Sequence, residues 1–468
     1  MSCVVYLALS ACSLESGRVD AANNGNAEAG GADAAALPFE GSVQPITTMD
    51  PGTKRVVYVG TNLPGEDHTV ALQITYPSKL RYDTTTGVVV SVQTFFTLET
   101  GDFYTLEAEK EGLIHVSYLW PGWKDAASGA QSAGTYDYGG PTDIAALASA
   151  IAFATGVAKD QTGHTLADHV GGHAEAGNVG LFAFSHPGIA AINALADYGE
   201  TIGPLAYFVG RENPTFDAES TVELGYFTNK GNGPAALNPL YNPSAWTEAG
   251  VAMNYSSIRY DSACKAPYLD LDGDKRLSSG DHPFGDRIPT MRGKLYYSSA
   301  LLSALEASNT LSPWPSDLAT AADALRDWPY RTSSTKYATV KAKLPNLKVM
   351  LLFAARDHVQ PSTDKPHIRH AYEGLGRGTG ALWLRLNPDA SYMDLFKAGS
   401  KSKMPDTPAG TVVDAAGWKG ANSLAYDGVL VPAFFAECAA LAEMADRTHA
   451  HNDAPNLDGV LVNVGLVK

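Results

Sequence analysis

Eight short runs of Val, Ile, Leu and Phe recur along this chain, with helical patterns between most of them. The runs cover residues 55–60, 68–77, 87–96, 113–122, 178–185, 202–210, 347–355 and 381–387. Several are almost continuously apolar, which suits strands buried on both faces. Residues 103–111, 142–155 and 188–198 carry the clearest helical spacing. Strand and helix in alternation predict a mostly parallel sheet flanked by helices on both faces. The link between the first two runs is too short for a crossover helix, so these two are expected to pair antiparallel.

The alternation breaks between residues 214 and 345. Aromatic, Pro, Asn and Gly residues become frequent there, and only 301–307 and 318–326 read as helices. This stretch is expected to be an insertion between sheet strands. The predicted division is a leader over 1–12, a linker over 13–50, a first core part over 51–213, the insertion over 214–345 and a second core part over 346–468. No internal repeat is visible.

The leader reads MSCVVYLALSAC. It is apolar but too short to span a bilayer. It ends in Leu9-Ser10-Ala11-Cys12, which resembles the lipobox of bacterial lipoproteins. That resemblance implies a lipid anchor on Cys12 and an extracytoplasmic location. The basic residues that usually open such a segment are absent. Residues 13–38 are rich in Ala, Gly, Asn and Ser and cannot bury a core, as expected of a tether. Formal net charge is −16 without a basic cluster, which argues against nucleic acid as a partner. Cys264 and Cys438 lie far apart in sequence, and nothing in the sequence brings them together.

One apolar run ends in Phe184-Ser185-His186-Pro187-Gly188 and continues at once as a helical pattern. A sharp strand-to-helix turn lifts the serine hydroxyl out of the sheet. Read locally, such a serine caps the helix that follows. Read with the strand order, it is a nucleophile, which needs a base to remove its proton. The order and number of elements resemble the α/β-hydrolase fold over residues 55–210 and 346–468, with 214–345 as an inserted cap. The resemblance implies an eight-stranded, mostly parallel sheet and a nucleophile at Ser185. It also implies an oxyanion site from the N–H of His186 and a residue near Thr94. Ala183 and Pro187 stand where the family's Gly-x-Ser-x-Gly has glycines. Alanine is small enough, and proline in the first helical turn loses an N–H that had no partner.

Asp357, in Asp-x-Val-x-Pro after the seventh run, falls where this family commonly carries the acid that orients its histidine. The histidine itself is harder to place. None occurs over 387–428, where the family has it. His451 and His449 come next in the chain and are the first candidates. His358 and His186 follow, and His367 and His370 read as solvated positions on the helix behind Asp357.

The insertion contains Asp270-Leu-Asp272-Gly-Asp274-Lys-Arg276-Leu-Ser278-Ser-Gly-Asp281. Carboxylates at positions 1, 3, 5 and 12, with the carbonyl of Arg276 at position 7, can wrap one Ca²⁺. The spacing resembles EF-hand and dockerin-type loops. Lys275 replaces the usual glycine and Asp281 the usual glutamate. Without a cation the loop is a solvated acidic turn. With one, the ion is structural. No Cys/His cluster has zinc spacing.

The chain is thus expected to be a lipid-anchored α/β-hydrolase-like protein with a calcium-stabilised cap. It would cleave a small-molecule or polymeric ester through an acyl-enzyme, with peptide hydrolysis as a variant of the same chemistry. The rival expectation is a non-catalytic, calcium-binding surface lipoprotein.

Overall fold

A computed structural model of the chain describes residues 36–61, 69–94, 101–227, 235–247, 250–284, 294–327, 330, 332–356, 366–375, 382–391 and 431–451. The leader, Cys12, Asp357 and His358 lie outside them. The first six strands are β1 (Lys54–Gly60), β2 (Thr69–Thr75), β3 (Thr86–Ser91), β4 (Ile114–Tyr118), β5 (Ala174–Phe184) and β6 (Tyr207–Arg211). Seven short strands follow: β7 (Gly225–Phe227), β8 (Ala235–Leu237), β9 (Tyr241–Thr247), β10 (Gly250–Met253), β11 (Ile258–Asp261), β12 (Ala266–Leu269) and β13 (His282–Pro283). The series closes with β14 (Lys348–Arg356) and β15 (Leu382–Ser391).

The large sheet runs β1-β2-β4-β3-β5-β6-β14-β15. β2 is antiparallel to both neighbours, β1 and β4, and the remaining pairs are parallel. β3, β4 and β6 are buried along their whole length, although each carries polar residues such as Ser91, His115, Ser117 and Arg211 among its apolar ones. Two helices, α1 (Pro141–Ala154) and α2 (Leu166–His169), lie between β4 and β5, and α3 (Pro187–Tyr198) follows β5. Ala- and Ile-rich faces of α1 and α3 cover one side of the sheet.

The expected helix over 103–111 does not form. Only its last turn, Ala108–Glu111, is a 3₁₀ helix. Glu107 has φ 59° and Gly112 φ 78°, and a left-handed residue at each end prevents an α-helix from extending either way.

Between β6 and β14 the chain builds the cap. It contains α4 (Asp217–Ser220), α5 (Ser299–Ala307), α6 (Ala321–Asp327) and three small antiparallel sheets, β7-β8, β9-β10 and β11-β12-β13. Leu301, Leu302, Leu305, Ile258, Leu269, Tyr296 and Tyr297 form a separate cap core. Buried Glu223 ties the cap's start to that core. It accepts from Thr221 Oγ1 at 2.6 Å, Ser298 N at 2.6 Å, Ser298 Oγ at 2.7 Å and the Tyr255 hydroxyl. Ser298 in turn caps α5 by accepting from Leu301 N.

α7 (Tyr337–Lys343) leads into β14, and α8 (Pro366–Leu375) follows it. The last helix, α9 (Val431–His449), covers the other side of the sheet through Ala440, Leu441, Met444 and Ala445. Nineteen helical residues span about 28 Å, enough to cross the sheet from edge to edge. Near one end Glu437 pairs with Arg211 at 2.6 Å. Near the other, Asp446 takes two bonds from Arg81, at 2.6 and 2.7 Å. Cys438 is a free, buried thiol donating to Leu106 O, so it does not pair with Cys264.

The outer edge of β1 is partly covered. Leu37 N donates to Gly60 O, Gln161 N donates to Tyr58 O, and Ala36 and Asp160 bridge to Thr61 and Val59. The strap continues through Gln44 N to Thr162 O and Met49 N to His169 O. No helix among the described residues is long and apolar enough to cross a membrane.

Candidate active site and cation loop

Ser185 stands at the end of β5, between neighbours β3 and β6 that run parallel to it, and immediately before α3. Its φ is 57°, a left-handed conformation that costs a residue with a side chain about 1–3 kcal/mol. The turn is held from both sides. Ser185 N donates to Arg211 O at 2.8 Å, and Gly188 N donates to Ser185 O at 3.0 Å. The residue that caps α3 is His186, and no side chain makes a capping bond there. The local reading of Ser185 as a helix cap is therefore wrong. Pro187 opens the helix, where its missing N–H does no harm.

His186 has helical angles, φ −51° and ψ −38°, and its Nε2 donates to Ser220 O at 2.6 Å. The ring is thereby fastened to the start of the cap. Thr94 follows β3, but its N–H donates to Gln93 Oε1 at 2.8 Å, and its carbonyl accepts from Trp120 Nε1 at 2.7 Å. As an oxyanion donor Thr94 is already engaged, which corrects that expectation.

His449 and His451 also need correcting. His449 Nδ1 meets Glu175 Oε1 at 2.8 Å, and its ring stacks on Tyr82 with centroids 3.8 Å apart. Glu175 lies ten residues before Ser185 along β5, roughly 30 Å away. His451, exposed just past α9, is at the same far edge. α9 starts near the serine's edge and carries both histidines away from it.

Other histidines do reach the serine's edge. Glu212, directly after β6 with φ 48°, receives His367 Nε2 at 2.8 Å. His367 is fully buried near the start of α8 and its Nδ1 has no hydrogen-bond partner. Beside this pair, Thr215 Oγ1 bonds to Glu219 Oε2 at 2.7 Å and to His370 Nδ1 at 3.0 Å. Burial pushes Glu219 up to about 7. His367 is thus a buried partner of an acid and His370 is buried against the Thr215 hydroxyl, not the solvated pair expected. Glu212 and Asn213 were missed altogether. The only sequence signal near them is the Asn213-Pro214 dipeptide, which marks a turn and no chemistry.

In the acidic loop, Asp270, Asp272 and Asp274 bring one carboxylate oxygen each within 4.8 Å of one another. Each also accepts a backbone N–H from further along the loop: Gly273 N to Asp270, Asp274 N to Asp272 and Arg276 N to Asp274. Asp281 closes the loop by accepting Leu271 N at 2.9 Å and Ser278 N at 2.7 Å. Lys275, where glycine is usual, has φ 62°, which explains the usual preference. Arg259 bonds to Asp270 at 2.5 Å and holds its carboxyl below the usual carboxylate range. The donor set, hard oxygens only, fits Ca²⁺.

The sheet order, the single reversed strand β2 and the strained serine after β5 define an α/β-hydrolase-type fold with a cap between β6 and β14. No family model matches the chain, and no curated protein does. Among solved structures it is similar to an acylaminoacyl peptidase of Pyrococcus horikoshii, at 9% identity and a TM-score of 0.33, over 72% of this chain and 37% of that one. It is similar to dipeptidyl peptidase 4 of Porphyromonas gingivalis at 7% identity and 0.35, over 73% and 32%. It is similar to an esterase of Rhizomucor miehei at 12% identity and 0.39, over 86% and 87%. The chain spans about a third of the length of the two peptidases.

Proposed function

We propose that the protein is a serine hydrolase that cleaves carboxylic esters through an acyl-enzyme on Ser185. The observation that carries this is the left-handed φ of 57° at Ser185, at the open edge of a parallel sheet. A serine that served only to link strand and helix would gain nothing from that strain. In the proposed step a base takes the hydroxyl proton and Oγ bonds to the ester carbonyl carbon. The alcohol leaves with a proton, and water then releases the acid. Asp357 is proposed to orient the base. His186, His367 and His370 are the histidines that the described residues bring to this edge. A fluorophosphonate probe should label the protein and fail to label Ser185→Ala, whose melting temperature should match the wild type. A probe that labels both equally places the chemistry elsewhere.

A second reading is a non-catalytic scaffold, favoured by the engagement of the Thr94 N–H. Complete absence of labelling in the wild type would select it.

The acidic loop is proposed to hold one structural Ca²⁺ through Asp270, Asp272, Asp274, Asp281 and the Arg276 carbonyl, supported by the convergence of three carboxylates. Bound ion would stabilise the cap by about 2.7 kcal/mol at a hundredfold excess over Kd. Chelation should lower the melting temperature, Ca²⁺ should restore it, and Asp272→Ala should blunt the response. Identical melts in chelator and in Ca²⁺ would leave only an acidic turn. Attachment to a membrane outside the cytoplasm through a lipid on Cys12 belongs to the same proposal and rests on the leader alone.

A further inference from the structure

Asn213 lies two residues beyond β6 and reaches back to the serine turn. Its Nδ2 donates to Ser185 O at 2.8 Å, Ala183 O at 3.0 Å and Arg211 O at 3.1 Å. Two N–H bonds are shared among three carbonyls, which belong to the turn, to the strand before it and to the neighbouring strand. These acceptors fix which way the amide faces, since the reverse orientation would set oxygen against oxygen. The opposite atom, Oδ1, is buried and has no hydrogen-bond partner. A buried carbonyl without a partner is unfavourable, and an apolar residue would avoid it. The side chain is therefore kept for what its nitrogen does.

The surroundings are shaped to this side chain. A Cβ on Gly188 would stand 2.2 Å from Asn213 Cγ, and one on Gly210 would stand 2.2 Å from Asn213 Oδ1. Neither glycine is among those with positive φ, so the backbone does not require glycine at either position. Space does. This also accounts for the displaced glycine of the turn, which stands at 188 and not at 187.

We propose that Asn213 is a positioning residue for Ser185. It clamps the carbonyls on either side of Phe184 to the end of β6 and so holds the serine in its left-handed conformation. Gly188 and Gly210 are the clearance that the clamp needs. The proposal rests on Ser185 being the nucleophile.

The test is the pseudo-first-order rate of fluorophosphonate labelling, which does not depend on the amount of folded protein. It is read with kcat and KM on a short acyl ester. Asn213→Asp keeps the shape and turns the donor into an acceptor. Its labelling should slow by about a hundredfold with KM little changed. The deficit relative to wild type at the same pH should shrink as pH falls and the new carboxyl gains a proton to donate. Gly188→Ala should slow labelling as Asn213→Ala does, and the double variant should be no slower than either, because both remove one clamp. An unchanged rate in Asn213→Ala, or an Asn213→Asp deficit that is the same at every pH, overturns the clamp and leaves the nucleophile standing. A wild type that never labels overturns the nucleophile, and the clamp with it.

Discussion

The two edges of the large sheet both carry histidines and buried charge, yet they are built differently. At the far edge the charged groups pair with one another, although Glu111 Oε1, Asn178 Oδ1 and the Tyr207 hydroxyl are buried there without partners. Arg81 bonds twice to Asp446 and once to Glu111 O, Tyr82 bonds to Asp446 and stacks on His449, and His449 meets Glu175. At the near edge the pairing is incomplete. Ser185 is strained, and both Asn213 Oδ1 and His367 Nδ1 are buried without partners. The far edge is organised as a fastening for α9. Unanswered polar atoms occur at both edges, and the near edge adds the strained serine that ends β5, the condition in which sites are commonly found.

That contrast breaks most clearly by exchanging effects between the edges. Asp357→Asn, at the acid proposed for the serine site, should cut ester turnover by about ten-thousandfold and leave the melting temperature almost unchanged. Asp446→Ala at the far edge should do the reverse, lowering stability by about 3 kcal/mol because buried Arg81 loses two bonds and keeps only Glu111 as a partner. Turnover per folded molecule should survive. If Asp446→Ala removed turnover and Asp357→Asn only destabilised, the assignment of the two edges would be inverted.

A smaller effect sharpens the near edge, where the cap is rooted. Burial pushes Glu219 and Glu223 up to about 7 from an ordinary 4.5. The folded protein therefore holds protons that the unfolded chain releases over that interval. Their contribution to stability is complete below about pH 4.5 and is lost as pH rises through 7. His282, which burial lowers from 6.5 to about 4, works in the opposite sense, so the difference between variants is the quantity to read. Subtracting the Glu223→Gln stability curve from the wild type should leave a fall of about 3 kcal/mol between those limits. A flat difference would mean that Glu223 is ionised throughout.

Smallest of all is His449→Ala. With the side chain 44% exposed, its pair with Glu175 should be worth under about 1 kcal/mol, and ester turnover should not change. A loss of turnover would return His449 to the mechanism despite its place.

How much of this could be read in advance follows from the range of each interaction. The sheet strands were legible because burial on both faces writes itself as a local apolar run. The strand-to-helix turn at Ser185 was legible because turn chemistry is local. The cap strands escaped because they are two to seven residues long and pair within small sheets. The histidines escaped for a different reason. Their distance from Ser185 depends on the direction and length of α9, and packing against the sheet decides both. Asn213, Glu212 and His367 meet the serine turn or each other only after β6, α3 and α8 have assembled. No spacing in the chain announces a contact between residues 212 and 367.

The strap along β1 bears on how molecules of this protein meet. A sheet's outer strand offers unpaired amides to any other strand that arrives. Here residues 36 and 37 and the 160–161 turn already occupy the second half of that edge. Trimming the chain past residue 49 would strip the strap from one flank while leaving the hydrolase scaffold whole. The trimmed protein should then be the more prone to join its neighbours edge to edge, because only the 160–161 turn would still cover that edge.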